Sequence, residues 1–204
     1  MLDEDKLREA THILASRDTE LASVVRRHGV PPLWARSPGF PTLTRIILEQ
    51  QVSLSSARAA YDRLVMRVGE PTPQVFLTLD DAELKRIGFS RQKMRYVRLL
   101  AERLLDGSFD LARLGSLCDD EARDRLMSLK GVGRWSADIY LLMALRRPDV
   151  LPRGDLALVR AVARLKGLPR PPTAEEFEAI GEAWRPWRSV AARIAWFDYL
   201  GGVP

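Results

Sequence analysis

One aspartate stands where this chain is best able to perform chemistry. Asp155 follows Gly154 and directly precedes an apolar helical pattern that runs to about Lys166, so it occupies the N-cap of a predicted helix. A carboxylate at a helix N-terminus faces the positive end of the helix dipole and backbone N–H groups, which favours its ionised form. Such a group suits electrostatic stabilisation of a developing positive charge, or activation of a water molecule, better than it suits general acid catalysis. An ordinary capping role is the alternative.

A glycine turn is the second feature with chemical potential. One helical pattern ends at Leu129, the turn Gly131-Val132-Gly133 follows, and a second helical pattern runs from Ala137 to Leu145. Glycine adopts φ > 0 without strain or lets another group approach closely. The backbone N–H groups at the start of the second helix form an anion site, and phosphate is the natural anion for a basic chain. A turn that only connects two helices is the alternative.

Composition restricts the class of protein. The 204 residues carry 32 Lys and Arg against 27 Asp and Glu, a net charge of +5, which favours a polyanionic partner. Cys118 is the one cysteine, so intrachain disulfides and a four-cysteine metal or iron–sulfur site are excluded. With two histidines, both early in the chain, histidine catalysis is disfavoured. The acidic start is no signal peptide and no apolar run reaches a membrane span, so we expect a cytoplasmic protein.

The elements that position these residues are helices throughout. Strand alternation is nowhere sustained, and capping boxes at Asp80/Glu83 and Thr173/Glu176 mark two helix starts. Pro148 predicts the end of the helix that follows the glycine turn. Pro186 suits position N1 of the last helix, predicted over 187–200. The fold class is all-α.

The segment Leu-Lys-Gly-Val-Gly-Arg-Trp-Ser-Ala-Asp over 129–138, followed by Gly-Asp at a helix start, resembles the helix-hairpin-helix DNA glycosylases. Within them it is similar to the alkylation-repair branch, 3-methyladenine DNA glycosylase II. The resemblance covers roughly residues 33–200. It implies two helical lobes, 1–38 with 149–204 and 39–148, with a cleft for DNA and the extruded base between them and no N-terminal β domain. The expected partner is double-stranded DNA with damaged bases, bound by a monomer in a bacterial-type cytoplasm at the nucleoid.

The same resemblance implies roles for single residues. Asp155 is the catalytic carboxylate, and Gln51 is the wedge that fills the place of the extruded nucleotide. Gln51 is polar where the best-known relative has an aliphatic residue. The base pocket consists of Trp135, Trp196, Ile139 and Leu156. A DNA phosphate is bound by the backbone N–H groups of Gly131, Gly133 and Ser136, and Arg134 lies beside them in sequence. Arg188 is a structural residue or a partner of the loop before Asp155.

Cofactor and mechanism follow from the resemblance as well. No cofactor is required and no iron–sulfur cluster is expected. The resemblance implies a Na⁺ or K⁺ ion held by the backbone carbonyls of Met127, Leu129 and Val132, provided that the hairpin leaves these carbonyls unpaired. Relatives that also cut the strand carry a lysine where this chain has Trp135, which implies a monofunctional enzyme that releases the base without lyase activity. The alternatives are a glycosylase for uracil, hypoxanthine or a mismatched base, and a non-catalytic helix-hairpin-helix DNA-binding protein.

Overall fold

The computed structural model describes residues Met1–Val203, and within them the chain forms helices and no β-strand. The all-α prediction is confirmed. In chain order the α-helices of this part are α1 (Glu4–Arg17), α2 (Thr19–His28), α3 (Phe40–Glu49), α4 (Leu54–Val68), α5 (Pro73–Thr78), α6 (Asp81–Ile87), α7 (Arg91–Leu105), α8 (Asp119–Met127), α9 (Arg134–Met143), α10 (Leu156–Leu165), α11 (Ala174–Glu182) and α12 (Arg188–Tyr199). A short 3₁₀ helix, Ala112–Ser116, lies between α7 and α8. Among the described residues, no helix combines the length and the apolar character needed to cross a membrane.

Side-chain caps explain where many of these helices begin. The Asp80 carboxylate accepts the Glu83 N–H at 2.7 Å, and the Glu83 carboxylate accepts the Asp80 N–H at 3.2 Å. Thr173 and Glu176 form the same reciprocal pair at the start of α11. Each cap satisfies backbone donors that the helix itself leaves unpaired and contributes about 1 kcal/mol. Both predicted capping boxes are confirmed.

The chain divides into two compact units. Unit 1 comprises Met1–Ala35 with Leu141–Pro204, and unit 2 comprises Arg36–Tyr140. The sequence placed the later boundary at 148/149 instead of 140/141. Residues 141–148 belong with unit 1 because their backbone is bonded there: the Leu2 N–H donates to the Arg146 carbonyl at 2.7 Å, and Arg193 donates to the Leu142 carbonyl at 2.9 Å.

Unit 1 is built around α12, which packs against α1, α2 and α10. Residues Ser189–Asp198 are all buried, so this helix is the centre of the unit's core. Its Arg193 side chain is fully buried and donates to the carbonyls of Leu33 at 2.8 Å, Ser189 at 3.0 Å and Leu142 at 2.9 Å. Burial lowers the pKa of Arg193 to about 10. The guanidinium thus joins the segment after α2, the end of α9 and α12.

Unit 2 is built around α3, which packs against α4 and α7. The Phe76 ring contacts the rings of Phe40 and Phe89, with centroids 5.9 and 5.5 Å away. Tyr140 is buried, and its hydroxyl accepts the Gly39 N–H at 3.0 Å just before α3 begins. Burial raises the pKa of Tyr140 to about 12.

Both proline-based helix boundaries are wrong. Helix α9 ends at Met143, five residues before Pro148, because Arg146 adopts φ +52° and the Arg147 N–H donates back to the Leu141 carbonyl at 3.0 Å. Pro186 precedes α12 instead of opening it, since the helix begins at Arg188 with Trp187 as its N-cap residue. The chain turns after Met143 before it reaches Pro148, whereas Pro186 ends a turn and is separated from α12 by Trp187 alone.

Candidate active site and nucleic-acid interface

Asp155 is held by two hydrogen bonds inside unit 1. Its Oδ1 accepts the Leu158 N–H at 2.8 Å and the Trp196 indole Nε1–H at 3.3 Å. The residue is half-buried and is the N-cap of α10, which confirms the prediction of its local structure. The helix N-terminus and the indole together fix the orientation of this carboxylate, which stays in part accessible. That arrangement suits stabilisation of a cation close to the carboxylate.

The loop before Asp155 is anchored on the start of α12. The Arg188 guanidinium donates to Asp149 through Nε to Oδ1 at 2.9 Å and through Nη2 to Oδ2 at 3.0 Å and to the backbone carbonyl at 2.7 Å. The Ser189 hydroxyl accepts the Val150 N–H at 3.0 Å. Arg188 is therefore the loop partner that the sequence suggested. Asp149 was missed, because its partner lies 39 residues away in sequence.

The predicted base-pocket residues have different surroundings. In unit 1, Trp196 is buried beside Asp155, whereas Leu156 is 70% exposed. In unit 2, both Trp135 and Ile139 lie on α9; Trp135 is half-buried and Ile139 is buried. Leu156 and Trp135 thus retain surface for contact with a ligand. The burial of Ile139 is that of a packing residue.

The glycine hairpin joins α8 to α9 as the sequence predicted. Gly131 adopts φ +89°, and the Val132 N–H donates to the Leu129 carbonyl at 3.0 Å. A Cβ on Gly131 would lie 2.2 Å from ring atoms of Tyr96, so both conformation and space require glycine here. A Cβ on Gly133 would meet nothing within 4 Å. The second glycine therefore leaves open space beside the N-terminus of α9.

A buried ion pair braces the two arms of the hairpin. Arg123 on α8 donates from Nε to Asp138 Oδ1 on α9 at 2.6 Å, and both side chains are almost completely buried. Arg134, at the exposed start of α9, contacts Asp138 Oδ2 more loosely at 3.4 Å and is 42% exposed. Arg134 is thus able to reach a phosphate, while Arg123 fixes the helices. The pair was not predicted from the sequence, because aspartate in a helix is most often solvated.

The sequence assigns a monovalent cation to the hairpin carbonyls of Met127, Leu129 and Val132 if the hairpin leaves them unpaired. The Leu129 carbonyl accepts the Val132 N–H at 3.0 Å, so it is not wholly unpaired. A carbonyl oxygen has two lone pairs, and one hydrogen bond leaves the second for an ion. Neutral backbone oxygens at a turn are hard ligands that suit Na⁺ or K⁺. The Leu129 carbonyl thus does not meet the condition of being unpaired, although it keeps a lone pair, and the cation site stays a prediction.

The turn between α3 and α4, residues 50–53, carries the predicted wedge. Gln51 is exposed and has φ +56°, an uncommon conformation for a residue with a side chain. Val52 and Leu54 beside it are also exposed, at 47% and 63%. Ser53 caps α4 by accepting the Ser56 N–H at 3.2 Å. Gln51 is thus exposed on this turn beside two exposed apolar side chains, and its role as a wedge stays a prediction.

Comparison with known proteins identifies the family. The family model described as the HhH-GPD superfamily of base excision DNA repair proteins matches residues 44–186. The chain belongs to this superfamily. The resemblance seen in residues 129–138 and at Asp155 is therefore confirmed.

Relatives and a solved structure agree with this assignment. The chain is 26% identical to the Bacillus subtilis protein YfjP over 87% of its own length and spans 65% of YfjP. It is 29% identical to DNA-3-methyladenine glycosylase 1 of Schizosaccharomyces pombe over 77% of this chain and 71% of that protein. The structure of the S. pombe 3-methyladenine DNA glycosylase Mag1 in complex with abasic DNA is similar at a TM-score of 0.82 and 26% identity, covering 93% of this chain and 95% of that chain.

Proposed function

We propose that this protein is a monofunctional DNA glycosylase that removes alkylated purines of the 3-methyladenine type from double-stranded DNA in base excision repair. The names of its relatives and the abasic DNA bound to the similar Mag1 structure support this activity. The observation that carries the proposal is the Asp155 carboxylate, held at the N-terminus of α10 by the Leu158 N–H and the Trp196 indole.

The chemistry requires a base that leaves easily and a sugar whose positive charge is stabilised. Alkylation at a ring nitrogen makes the purine cationic, so the bond from C1′ to that base breaks with its electron pair going to the base. The Asp155 carboxylate stabilises the oxocarbenium-like sugar electrostatically. Water then adds its oxygen to C1′ and releases a proton, to the carboxylate or to solvent. The products are the free base and an abasic site.

Base extrusion and DNA binding are assigned to the other residues. Trp135 and Trp196 stack on the cationic base by aromatic and cation–π attraction, on the order of 1–2 kcal/mol each. Leu156 adds exposed apolar surface to the same task. Gln51 enters the base stack. The N–H groups of Gly131, Gly133 and Ser136, with Arg134, bind a phosphate.

The enzyme is a monomer and requires no resident cofactor in this proposal. Ile139 contributes packing behind the base pocket. The backbone carbonyls of Met127, Leu129 and Val132 would hold a Na⁺ or K⁺ ion, which would supply positive charge at the hairpin. Trp135 has no amine, so no Schiff base forms there and the strand is left intact.

The proposal is tested with a panel of duplexes that each contain one damaged base: an alkylated purine, uracil, hypoxanthine or a mismatched base. Base release is scored directly, and alkali-sensitive breaks are scored separately. We expect release from the alkylated purine and breaks only after alkali. If base release is confined to another lesion, that lesion is the substrate in place of alkylated purines. Duplex binding without any base release supports a non-catalytic DNA-binding protein.

A further inference from the structure

Gln50, the residue before the wedge, is bonded to the glycine hairpin. Its side-chain Nε2 donates to the Gly131 carbonyl at 2.8 Å and to the Ser136 hydroxyl oxygen at 2.8 Å. All three residues belong to unit 2, and Gln50 is half-buried. One amide group thereby links the turn that carries Gln51 to both sides of the Gly131–Gly133 turn.

The orientation of this amide is determined by its partner. A backbone carbonyl only accepts hydrogen bonds, so the NH₂ group of Gln50, and not its oxygen, must face Gly131. Ser136 is buried, and its hydroxyl is able to accept the second N–H. A carboxylate at position 50 would instead oppose the Gly131 carbonyl oxygen. The contact therefore requires a donor of this length, which makes it testable by near-isosteric substitution.

Two residues of α7 hold the same assembly. Lys93 Nζ donates to the backbone carbonyls of Leu48 at 2.7 Å and Gln50 at 2.8 Å, and burial lowers the pKa of this lysine. Helix α3 has no basic residue in its last turn, so Lys93 supplies the cation that its C-terminus lacks. The Tyr96 ring occupies the space where Gly131 would carry a Cβ. The wedge turn and the hairpin are thus each fixed to α7 as well as to one another.

We propose that Gln50 is a positioning residue that holds the wedge turn (residues 50–53) and the glycine hairpin (residues 129–136) in one register, so that both engage the same damaged duplex. The proposal rests on the proposed function, because it assigns Gln51 to the base stack and the hairpin to a phosphate. Both segments approach DNA as one preformed surface, and the ordering cost on binding is reduced. Loss of the Gln50 bonds separates the two contacts and weakens recognition of the extruded site.

The test uses Gln50→Met, which keeps the volume and removes the donor, and Gln50→Glu, which opposes the Gly131 carbonyl. Three quantities are measured: affinity for a duplex with an uncleavable abasic-site analogue, amide hydrogen exchange of peptides that cover residues 129–137 in the free protein, and Tm. For Gln50→Met we expect affinity weaker by about fivefold or more and hairpin exchange faster by about tenfold, with Tm within about 2 °C of wild type. Gln50→Glu shows larger changes in the same direction. Gln74→Met and Gln74→Glu, on the exposed face of α5, are the matched controls and change none of the three.

A double-mutant cycle with Gln51→Ala separates positioning from simple structural support. If Gln50 places the wedge, Gln51→Ala weakens binding in the wild-type background and adds less than about twofold in the Gln50→Met background. Additive effects overturn the proposal. The proposal is also overturned if hairpin exchange and duplex affinity of Gln50→Met both stay within about twofold of wild type. A lowered Tm with unchanged hairpin exchange overturns it as well. A wild-type protein that releases no base refutes the proposed function, whereas the exchange measurement on free protein still decides the link.

Discussion

Gly131→Ala provides a quantitative test of the hairpin. At φ +89° an alanine is strained by about 1–2 kcal/mol, and its Cβ would lie 2.2 Å from the Cγ and Cδ2 atoms of Tyr96. Forcing a methyl group into filled space costs about 1–3 kcal/mol more, because the ring or the turn must move. A small entropic gain in the unfolded chain offsets less than about 1 kcal/mol. We expect a net loss of about 3 kcal/mol, which lowers the Tm by about 6–12 °C in a chain of this size.

The assay is thermal unfolding followed by circular dichroism, with duplex binding measured by fluorescence anisotropy. Gly133→Ala is the matched control, because a Cβ there meets nothing within 4 Å and its φ is not positive. Its Tm stays within about 2 °C of wild type, yet duplex binding weakens since the methyl group enters the space assigned to the phosphate. Tyr96→Ala combined with Gly131→Ala recovers the steric part of the lost stability. A Tm for Gly131→Ala equal to that of Gly133→Ala would show that neither the positive φ nor the Tyr96 ring requires glycine at position 131.

Three further outcomes are expected. Arg193→Met removes the guanidinium donor from three buried carbonyls and lowers the free energy of unfolding by about 3–5 kcal/mol. The measurement is a urea titration. A loss below about 1 kcal/mol contradicts the role of Arg193 in linking the segments of unit 1. Trp196→Phe keeps an aromatic face but removes the indole N–H that donates to Asp155. The single-turnover rate of base release then falls by about tenfold with little change in duplex affinity. An unchanged rate shows that the indole hydrogen bond does not support catalysis. Borohydride added during turnover traps no covalent enzyme–DNA adduct, because Trp135 offers no amine; a trapped adduct shows lyase chemistry.

Helix starts were readable from the sequence where a capping side chain bonds its own helix. The caps at Asp155, Asp80 and Thr173 were predicted because a capping side chain bonds to a backbone N–H three residues away. A glycine between two helical patterns allowed either a positive φ or a close approach, and Gly131 has both. The turn chemistry around the two prolines was not predicted, since proline excludes a helix without fixing where the helix stops.

Contacts between distant segments were beyond sequence reasoning. The Gln50 amide meets a carbonyl 81 residues later, and Lys93 meets carbonyls 43 and 45 residues earlier. Nothing in the local pattern distinguishes Gln50 from Gln51, although one side chain is bonded to the hairpin and the other is exposed. The fold gives the two neighbours different surroundings: the Gln50 amide reaches the hairpin, whereas Gln51 adopts φ +56° and is exposed.

Asp155→Asn decides whether the charge of the Asp155 carboxylate stabilises the sugar cation. Asparagine keeps an oxygen that is able to accept the Leu158 N–H and the Trp196 Nε1–H, so fold and cap remain while the charge is lost. The measurement is single-turnover release of 3-methyladenine from a duplex, corrected for uncatalysed loss, beside affinity for the abasic-analogue duplex. We expect the rate to fall by at least about 100-fold with affinity within about threefold of wild type. Release by the asparagine variant within about threefold of the wild-type rate would contradict the account.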